Sequence, residues 1–252
     1  MNVKHDLSEK LLTQSFPKEE MEELEKYRQL AKGYAAVEHC IAVLSDLKRD
    51  KSYVYHGALA ACFDFSTEAS AQEIDSIWEE DIFACIHPDD LINKHLLELR
   101  LFTFVKKLDV TKRSQFYGTN VIRMQGRTGE YIAIKHRIYY VSCIVSGSLR
   151  YALCLYNRAE QPSLNEVKKH AIVDMLAGEP VPIFQDQLSS ILSTREWEVL
   201  RLIRDGQISK EIAARLSISV NTVNRHRQNI LEKLRVKNSS EACSVADRLH
   251  LF

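Results

Sequence analysis

The stretch from Ser209 to Leu234, SKEIAARLSISVNTVNRHRQNILEKL, sets the architecture of the C-terminal part of the chain. Ile212, Ala213 and Leu216 are spaced three or four residues apart, as on the buried face of a helix. After the polar turn Ser217-Ile218-Ser219, a second amphipathic series continues to the end of the stretch. Two short helices joined by such a turn are typical of a helix-turn-helix, whose second helix enters the major groove of DNA.

Further helix starts flank this stretch. A Ser, Thr, Asn or Asp cap, often followed three residues later by Glu, marks the first turn of a helix. Four such signals divide residues 189–252, and they are Ser193 with Glu196, Ser209, Ser219, and Asn238 with Glu241. We therefore predict an all-α domain of four helices over residues 189–252.

The predicted third helix has two unlike faces. Val223, Ile230 and Leu234 lie on the inner one, and the opposite face carries Asn221, Asn224, Arg225 and Gln228. Arg suits the edge of guanine, and Asn or Gln suits adenine, so these four are our candidates for contact with bases. Hydroxyl and basic side chains nearby suit phosphates. The candidate phosphate contacts are Ser209, Lys210, Ser219, Thr222 and Arg227.

The charge distribution also separates this part from the rest. The chain has 252 residues with 34 Lys or Arg and 34 Asp or Glu, so its formal net charge is zero. Residues 189–252 hold 11 of the basic and 7 of the acidic side chains, an excess of +4. The other 188 residues carry the opposite excess, −4. This asymmetry predicts two domains, of which the basic one faces an anionic partner.

The same segment resembles the LuxR-type (GerE-type) DNA-binding domain. The resemblance rests on Leu192–Leu200, on Ile208–Ala213 with Leu216–Ser219, and on Thr222–Arg227, and it covers the last 64 residues. It implies double-stranded DNA as the partner, with the positions of Asn224, Arg225 and Gln228 facing the major groove. The family often has Lys where this chain has Asn224. It also implies a homodimer on DNA that pairs through the fourth helix, for which we nominate the outer-face residues Cys243, Asp247 and His250.

Residues 38–158 predict an α+β domain with an antiparallel five-stranded sheet. Strand-like runs alternate with turns, and a helix-rich segment, 74–101, separates the second run from the third. The runs are 40–47, 52–55, 115–124, 131–145 and 149–156. Residues 1–37 are predicted as a flanking helix with Met21, Leu24, Leu30 and Tyr34 on one face. Residues 159–188 are a predicted linker, in which 171–175 form either one strand of a hairpin turning at Gly178 or a helix end.

This order of elements resembles a PAS domain. The resemblance rests on Ile86-His87-Pro88-Asp89-Asp90 and on Gly129-Glu130-Tyr131-Ile132. Thr128 and Ala133 depart from the family pattern, which has Asp and often an aromatic residue there. The resemblance implies a sensor, and no cofactor is assigned. His136 lies in phase with apolar residues of its strand, so it is either a hydrogen-bonded core histidine or a contact in a ligand pocket.

We expect no catalytic residue, no enzyme activity and no metal site. The six cysteines include no C-x-x-C pair. Cys85 with His87 and the following aspartates could instead form a metal site or a nucleophile. Adjacent residues on one turn rarely converge on one ion, so we predict that Asp89 or Asp90 caps a helix after Pro88. No apolar run reaches about 18 residues and the N-terminus lacks a signal-peptide pattern, so we expect a cytoplasmic protein without membrane contact.

These features predict a sequence-specific DNA-binding transcriptional regulator whose third helix of the C-terminal domain contacts the major groove. Its activity would be controlled through the PAS-like domain by a small-molecule signal or a partner protein. Three alternatives remain: a response regulator controlled by phosphorylation, an enzyme that uses Cys85 and His87, and a protein-interaction module that does not bind DNA. The first needs parallel βα units, which the antiparallel interpretation disfavours.

Overall fold

The computed structural model describes residues 3–16, 22–63, 71–143, 147–160, 170–181, 192–234 and 236–248. The chain divides into two compact units. The sheet unit comprises residues 7–181, and the helical unit comprises residues 182–252 together with residues 1–6. No helix within the described ranges is long and apolar enough to cross a membrane. The domain boundaries predicted above stay predictions.

Within the described ranges, eight strands and four α-helices precede the C-terminal helices. The helices are α1 (Val3–Leu12), α2 (Glu22–Val37), α3 (Glu80–Cys85) and α4 (Pro88–Lys107). The strands are β1 (Ile41–Asp46), β2 (Lys51–His56), β3 (Ala71–Ile74), β4 (Phe116–Gln125), β5 (Tyr131–Cys143), β6 (Leu149–Arg158), β7 (Ala171–Asp174) and β8 (Glu179–Pro180). Short 3₁₀ helices cover Ala58–Cys62 and Val110–Gln115.

The strands form one antiparallel sheet in the order β3-β2-β1-β6-β5-β4-β7-β8. Its five central strands are the five that the sequence predicts, and the α+β prediction is confirmed. Three short strands extend the two edges. Among them, β7 settles the alternatives left open for residues 171–175, because it pairs with β8 across a turn at Gly178, whose φ is +71°. A receiver domain requires parallel strands, and every pairing between the described strands is antiparallel.

Helix α2 covers one face of the sheet. Ala31 and Ala35 are buried against side chains of β1, β2 and β6, with Leu24 partly buried beside them. Two of the residues predicted on the buried side of α2, Leu30 and Tyr34, are instead 42% and 37% exposed. The prediction is wrong for Leu30 and Tyr34, because the face turned to the strands contains Leu24, Tyr27, Ala31 and Ala35. Met21, the remaining predicted member, lies outside the described residues.

The opposite face, here called the inner face, lies under α3 and α4. Along β5 it carries Ile134, His136, Ile138 and Tyr140, since alternate residues of a strand point the same way. Helix α4 is buried over most of its length, and its buried side chains include charged ones. The inner face therefore encloses polar groups as well as an apolar core.

The helical unit contains α5 (Thr194–Arg204), α6 (Ser209–Leu216), α7 (Val220–Leu234) and α8 (Ser239–Arg248), as predicted. Its core contains mainly aliphatic side chains from all four helices. They are Val199, Leu200, Leu202, Ile212, Ala213, Val223, Ile230, Ala242 and Ala246. The turn between α6 and α7 begins at Ser217, whose φ of +54° ends α6 in the left-handed region.

Three of the four predicted helix starts are confirmed. The hydroxyl of Ser193 accepts the N–H of Glu196 at 3.3 Å, Ser219 accepts that of Thr222 at 3.0 Å, and Asn238 accepts that of Glu241 at 2.8 Å. The prediction that Ser209 caps α6 is wrong. Ile208 occupies the N-cap position, and its N–H donates to the Glu211 carboxylate at 2.9 Å. The Ser209 hydroxyl binds a side chain of α7 instead, as described below.

Candidate functional site

The exposed surface of α7 brings the four predicted base contacts together. Asn221, Asn224, Arg225 and Gln228 are all exposed, and their spacing of three or four residues places them in one stripe. We call this stripe the recognition face. Val223 and Ile230, with exposed fractions of 0% and 1%, hold the other side of α7 in the core of the helical unit. The helix is thus anchored on one side and presents hydrogen-bonding groups on the other.

The N-termini of α6 and α7 both precede the recognition face in the sequence. Lys210 is exposed in the first turn of α6, while Ser219 and Thr222 stand at the start of α7 with their hydroxyl oxygens 2.8 Å apart. Helix N-termini favour phosphate because their free N–H groups and the helix dipole both attract an anion. These three side chains therefore have the chemistry and placement of phosphate contacts, which remain predictions.

Arg227 joins three helices of the helical unit. It is half-buried, and its guanidinium donates to the hydroxyls of Ser209 at 3.2 Å and Ser239 at 3.0 Å. These bonds tie α7 to the first residue of α6 and the first residue of α8. Arg227 and Ser209 therefore position the helices in this structure, and their predicted contact with phosphate would have to coexist with these bonds.

An ion pair that the sequence did not reveal fixes α7 against α5. Lys233 Nζ lies 2.6 Å from Glu196 Oε2, and the Glu196 residue is only 2% exposed. Burial raises the pKa of Glu196, but hydrogen bonds from Lys233 and Ser193 outweigh burial, so its pKa lies below the ordinary value. The capping pattern identified Glu196, whereas no local signal identifies its partner 37 residues away.

The residues nominated for a dimer contact are only partly described. Cys243 is half-buried on α8. The side chain of Asp247 and the whole of His250 lie outside the described part of the chain. The nomination of these residues stays a prediction.

Residues 190–246 match the family model described as bacterial regulatory proteins, luxR family. The chain carries a LuxR-type helix-turn-helix domain at its C-terminal end. The match contains α5, α6 and α7 and reaches into α8, so the recognition face belongs to the LuxR-type domain.

Curated relatives match over a similar length. The chain is 45% identical over 60 residues to the transcriptional regulatory protein LiaR of Bacillus subtilis, an alignment that covers 24% of this chain and 28% of LiaR. It is 55% identical over 51 residues to DesR of the same organism, covering 20% of this chain and 26% of DesR. The chain thus spans about a quarter of the length of these relatives.

Among solved structures, the chain is similar to phage VqmA in complex with DPO and to SdiA of Escherichia coli. The VqmA match has 13% identity and a TM-score of 0.33, and it covers 91% of this chain and 92% of the other. The SdiA match has 16% identity and a TM-score of 0.28, and it covers 99% of this chain and 97% of the other.

The sheet unit contains buried polar side chains, in contrast to the exposed ones of the recognition face. His136 is fully buried on the inner face, where its Nδ1 lies 2.9 Å from Asn120 Oδ1 and its Nε2 lies 3.8 Å from Glu98 Oε1. Burial, together with the positive charge of Lys94 and with His95, holds the pKa of His136 well below its ordinary value of 6.5. The structure therefore places His136 in the interior, as its phase in β5 predicts, and gives it a hydrogen bond there.

An ion pair on α4 adjoins His136. Lys94 Nζ lies 2.7 Å from Glu98 Oε1, and both residues are at most 5% exposed. Burial lowers the pKa of Lys94, but its interactions with Glu98, Cys154 and Glu79 together outweigh burial and leave that pKa above the ordinary value. Burial raises the pKa of Glu79, a neighbouring carboxyl, to about 7. These two carboxyls and Lys94 line a cavity of about 30 Å³, which is room for one water molecule.

The His-Pro-Asp-Asp element holds α4 to β4. Asp90 accepts two hydrogen bonds of 2.8 Å from the Arg123 guanidinium and a third of 2.8 Å from the Arg123 backbone N–H. The cap of α4 is His87, whose Nδ1 accepts the N–H of Asp89 at 3.3 Å. The prediction that Asp89 or Asp90 caps this helix is therefore wrong, because Pro88 occupies the first helical position and the residue before it has the cap geometry.

Proposed function

We propose that this protein is a cytoplasmic, sequence-specific DNA-binding transcriptional regulator whose helix α7 contacts bases in the major groove. The observation that carries the proposal is the recognition face. Four side chains suited to base edges are exposed on one stripe of a helix that is anchored by buried Val223 and Ile230, within a segment that matches the LuxR family.

We assign phosphate contacts to the residues around the recognition face. Lys210, Ser219 and Thr222 stand at the two helix N-termini, where an anion is favoured. Arg227 and Ser209 contribute by holding α6 and α8 on α7, in addition to any contact of their own with DNA. The regulator binds DNA as a homodimer, so that two copies of α7 enter the major groove about one helical turn apart.

A selection from random-sequence DNA with the full-length protein tests this proposal. We expect an enriched site with two related halves and an affinity that falls as salt rises, because cations that contact phosphates release counterions. The Arg225→Ala variant should lose the preference at one position of each half. Arg195→Ala is the matched control, since Arg195 is exposed and paired with Glu198 on α5. Failure to enrich any sequence, with no salt-dependent binding, would favour an interaction module that does not bind DNA.

We further propose that the sheet unit supplies the input that controls DNA binding. Several polar atoms of its interior are buried and have no hydrogen-bond partner among the described residues. They include His136 Nε2, Asn120 Nδ2, Tyr140 OH and Tyr156 OH. Buried polar atoms are costly when unpaired, so such a cluster suggests a bound group or water at this position. Mass spectrometry of the natively purified protein tests this, because a retained small molecule or partner protein would appear as added mass.

A further inference from the structure

Three potential metal-binding side chains from distant parts of the sequence meet inside the sheet unit. Glu98 comes from α4, His136 from β5 and Cys154 from β6, and their ligand atoms all lie within 4.8 Å of one another. Each of the three residues is at most 5% exposed. Borderline-soft transition metals bind carboxylate, imidazole and thiolate ligands together. Ca²⁺ and Mg²⁺, in contrast, prefer oxygen ligands alone.

The orientation of His136 is already that of a metal ligand. The Asn120 Oδ1 atom can only accept a hydrogen bond, so the Nδ1 atom of His136, 2.9 Å away, carries the proton and donates it. The Nε2 atom then presents a lone pair, and it faces Glu98 Oε1 at 3.8 Å, which is another acceptor. Metal-binding histidines characteristically donate their second ring nitrogen to a carbonyl or carboxylate in this way.

We propose that Glu98, His136 and Cys154 bind one divalent transition-metal ion of the zinc type. Bonds of about 2.0–2.3 Å in a tetrahedral site separate ligand atoms by roughly 3.3–3.7 Å. The distance of 3.8 Å between His136 and Glu98 is close to this range, and all three ligand atoms lie within 4.8 Å of one another, so side-chain movements of about 1 Å complete the site. Three protein ligands leave a fourth position open, as in zinc sites that also bind water or a further ligand.

The surroundings of the three ligands suit this arrangement. Glu98 and Cys154 both line the cavity of about 30 Å³, which has room for a water molecule in the fourth position. Lys94 donates to Glu98, and carboxylates that bind metals are themselves commonly hydrogen-bonded. Its positive charge opposes the ion, but the Cys154 thiolate and the Glu98 carboxylate offset it. The Cys154 thiol loses its proton to solvent as the sulfur–metal bond forms.

Titration of the reduced, chelator-treated, full-length protein with Co²⁺ tests the site. We expect one equivalent to bind with a thiolate-to-cobalt charge-transfer band, and stoichiometric Zn²⁺ to remove that band. Cys154→Ser should abolish the band, and Asn120→Ala should weaken binding about 10–100-fold because His136 loses its orienting partner. Cys40→Ser is the matched control: Cys40 is also fully buried, but it belongs to the cluster under α2 on the other face of the sheet.

A band that survives in Cys154→Ser, or that disappears equally in Cys40→Ser, would overturn the proposal, as would the absence of any band in the unmodified protein. Should Cys154→Ser fail to fold, X-ray absorption of the zinc-loaded natural chain provides an independent answer. One sulfur and three nitrogen or oxygen neighbours support the site, whereas two or more sulfurs contradict it. None of these results depends on DNA binding, so the metal site and the regulatory function can fail separately.

Discussion

The two units of this protein place their polar groups in opposite ways. In the helical unit, the side chains suited to base edges, such as Asn224 and Arg225, are exposed on one side of α7, and the opposite side of that helix is apolar and buried. In the sheet unit, His136, Glu98 and Lys94 are enclosed between the sheet and α4. An exposed polar stripe contacts a partner directly, whereas a buried polar cluster acts on groups enclosed in its own domain and on the stability of that domain.

The two parts of the chain also differ in net charge. The excess of +4 over residues 189–252 lies in the part that we propose to contact phosphate, and the opposite excess lies in the part with the enclosed cluster. A net charge of zero for the whole chain therefore describes neither part.

The strongest test concerns the buried ion pair. Lys94→Ala leaves the Glu98 carboxylate buried without its cation, and loss of one partner from such a pair lowers the free energy of unfolding by about 3–5 kcal/mol. The chain has two tryptophans, Trp78 and Trp197, one in each unit. Denaturant unfolding followed by Trp78 fluorescence in a Trp197→Phe background isolates the sheet unit.

Lys51→Ala is the control for this prediction. Lys51 also pairs with carboxylates, Glu73 at 2.7 Å and Asp75 at 3.0 Å, but all three side chains are partly or largely exposed. We expect little change in stability, because surface ion pairs contribute little. Equal effects of the two substitutions would contradict the claim that burial sets the sheet unit apart.

The second test concerns the anchor of α7. Ile230→Ala removes a buried side chain that is 1% exposed, and such truncations cost about 2–5 kcal/mol of stability. Trp197 fluorescence in a Trp78→Phe background follows the helical unit. Val220→Ala on the same helix is the control, because Val220 is 41% exposed and should change stability by less than about 0.5 kcal/mol. Similar losses from both would mean that α7 is not packed as described.

The third test concerns the recognition face. Arg225→Ala should weaken specific DNA binding by about 1–3 kcal/mol and relax the preference at one base pair, because a guanidinium paired with guanine is lost. Because Arg225 is exposed, the unfolding midpoint followed by Trp197 should hardly move. Fluorescence anisotropy with the selected site and single-base variants measures the loss. An unchanged preference would remove Arg225 from the base contacts.

The smallest effect is expected from Lys210. Lys210→Ala should weaken binding to all sequences alike and reduce the slope of log affinity against log salt by about 0.9, the contribution of one phosphate. Binding isotherms at several salt concentrations measure this slope. A changed base preference with an unchanged slope would place Lys210 against bases rather than phosphate.

Sequence patterns predicted much of both units because the signals are local. Alternation and turns identified the five central strands, and capping residues identified the starts of α5, α7 and α8. The wrong predictions arose where two neighbouring residues compete for one role. Ser209 and Ile208 compete for the cap of α6, and Asp89 and His87 compete for the cap of α4. The backbone geometry at the helix start, rather than the residue type, settles such cases.

The prediction of which residues of α2 are buried was wrong for a different reason. The sequence pattern placed Leu30 and Tyr34 on the buried face, whereas the face that packs against the strands contains Leu24, Tyr27, Ala31 and Ala35. Which stripe of a helix is buried depends on the shape of the surface that receives it.

The amino-acid sequence alone established the order of elements, the two oppositely charged parts and the polar stripe of α7, because helix and strand periods act between residues a few positions apart. The tertiary structure alone brought Lys233 to Glu196 and brought Glu98, His136 and Cys154 together, across 37 and up to 56 positions of the chain. Contacts of that kind depend on the register of the sheet and on the packing of helices, and no short segment of sequence determines either.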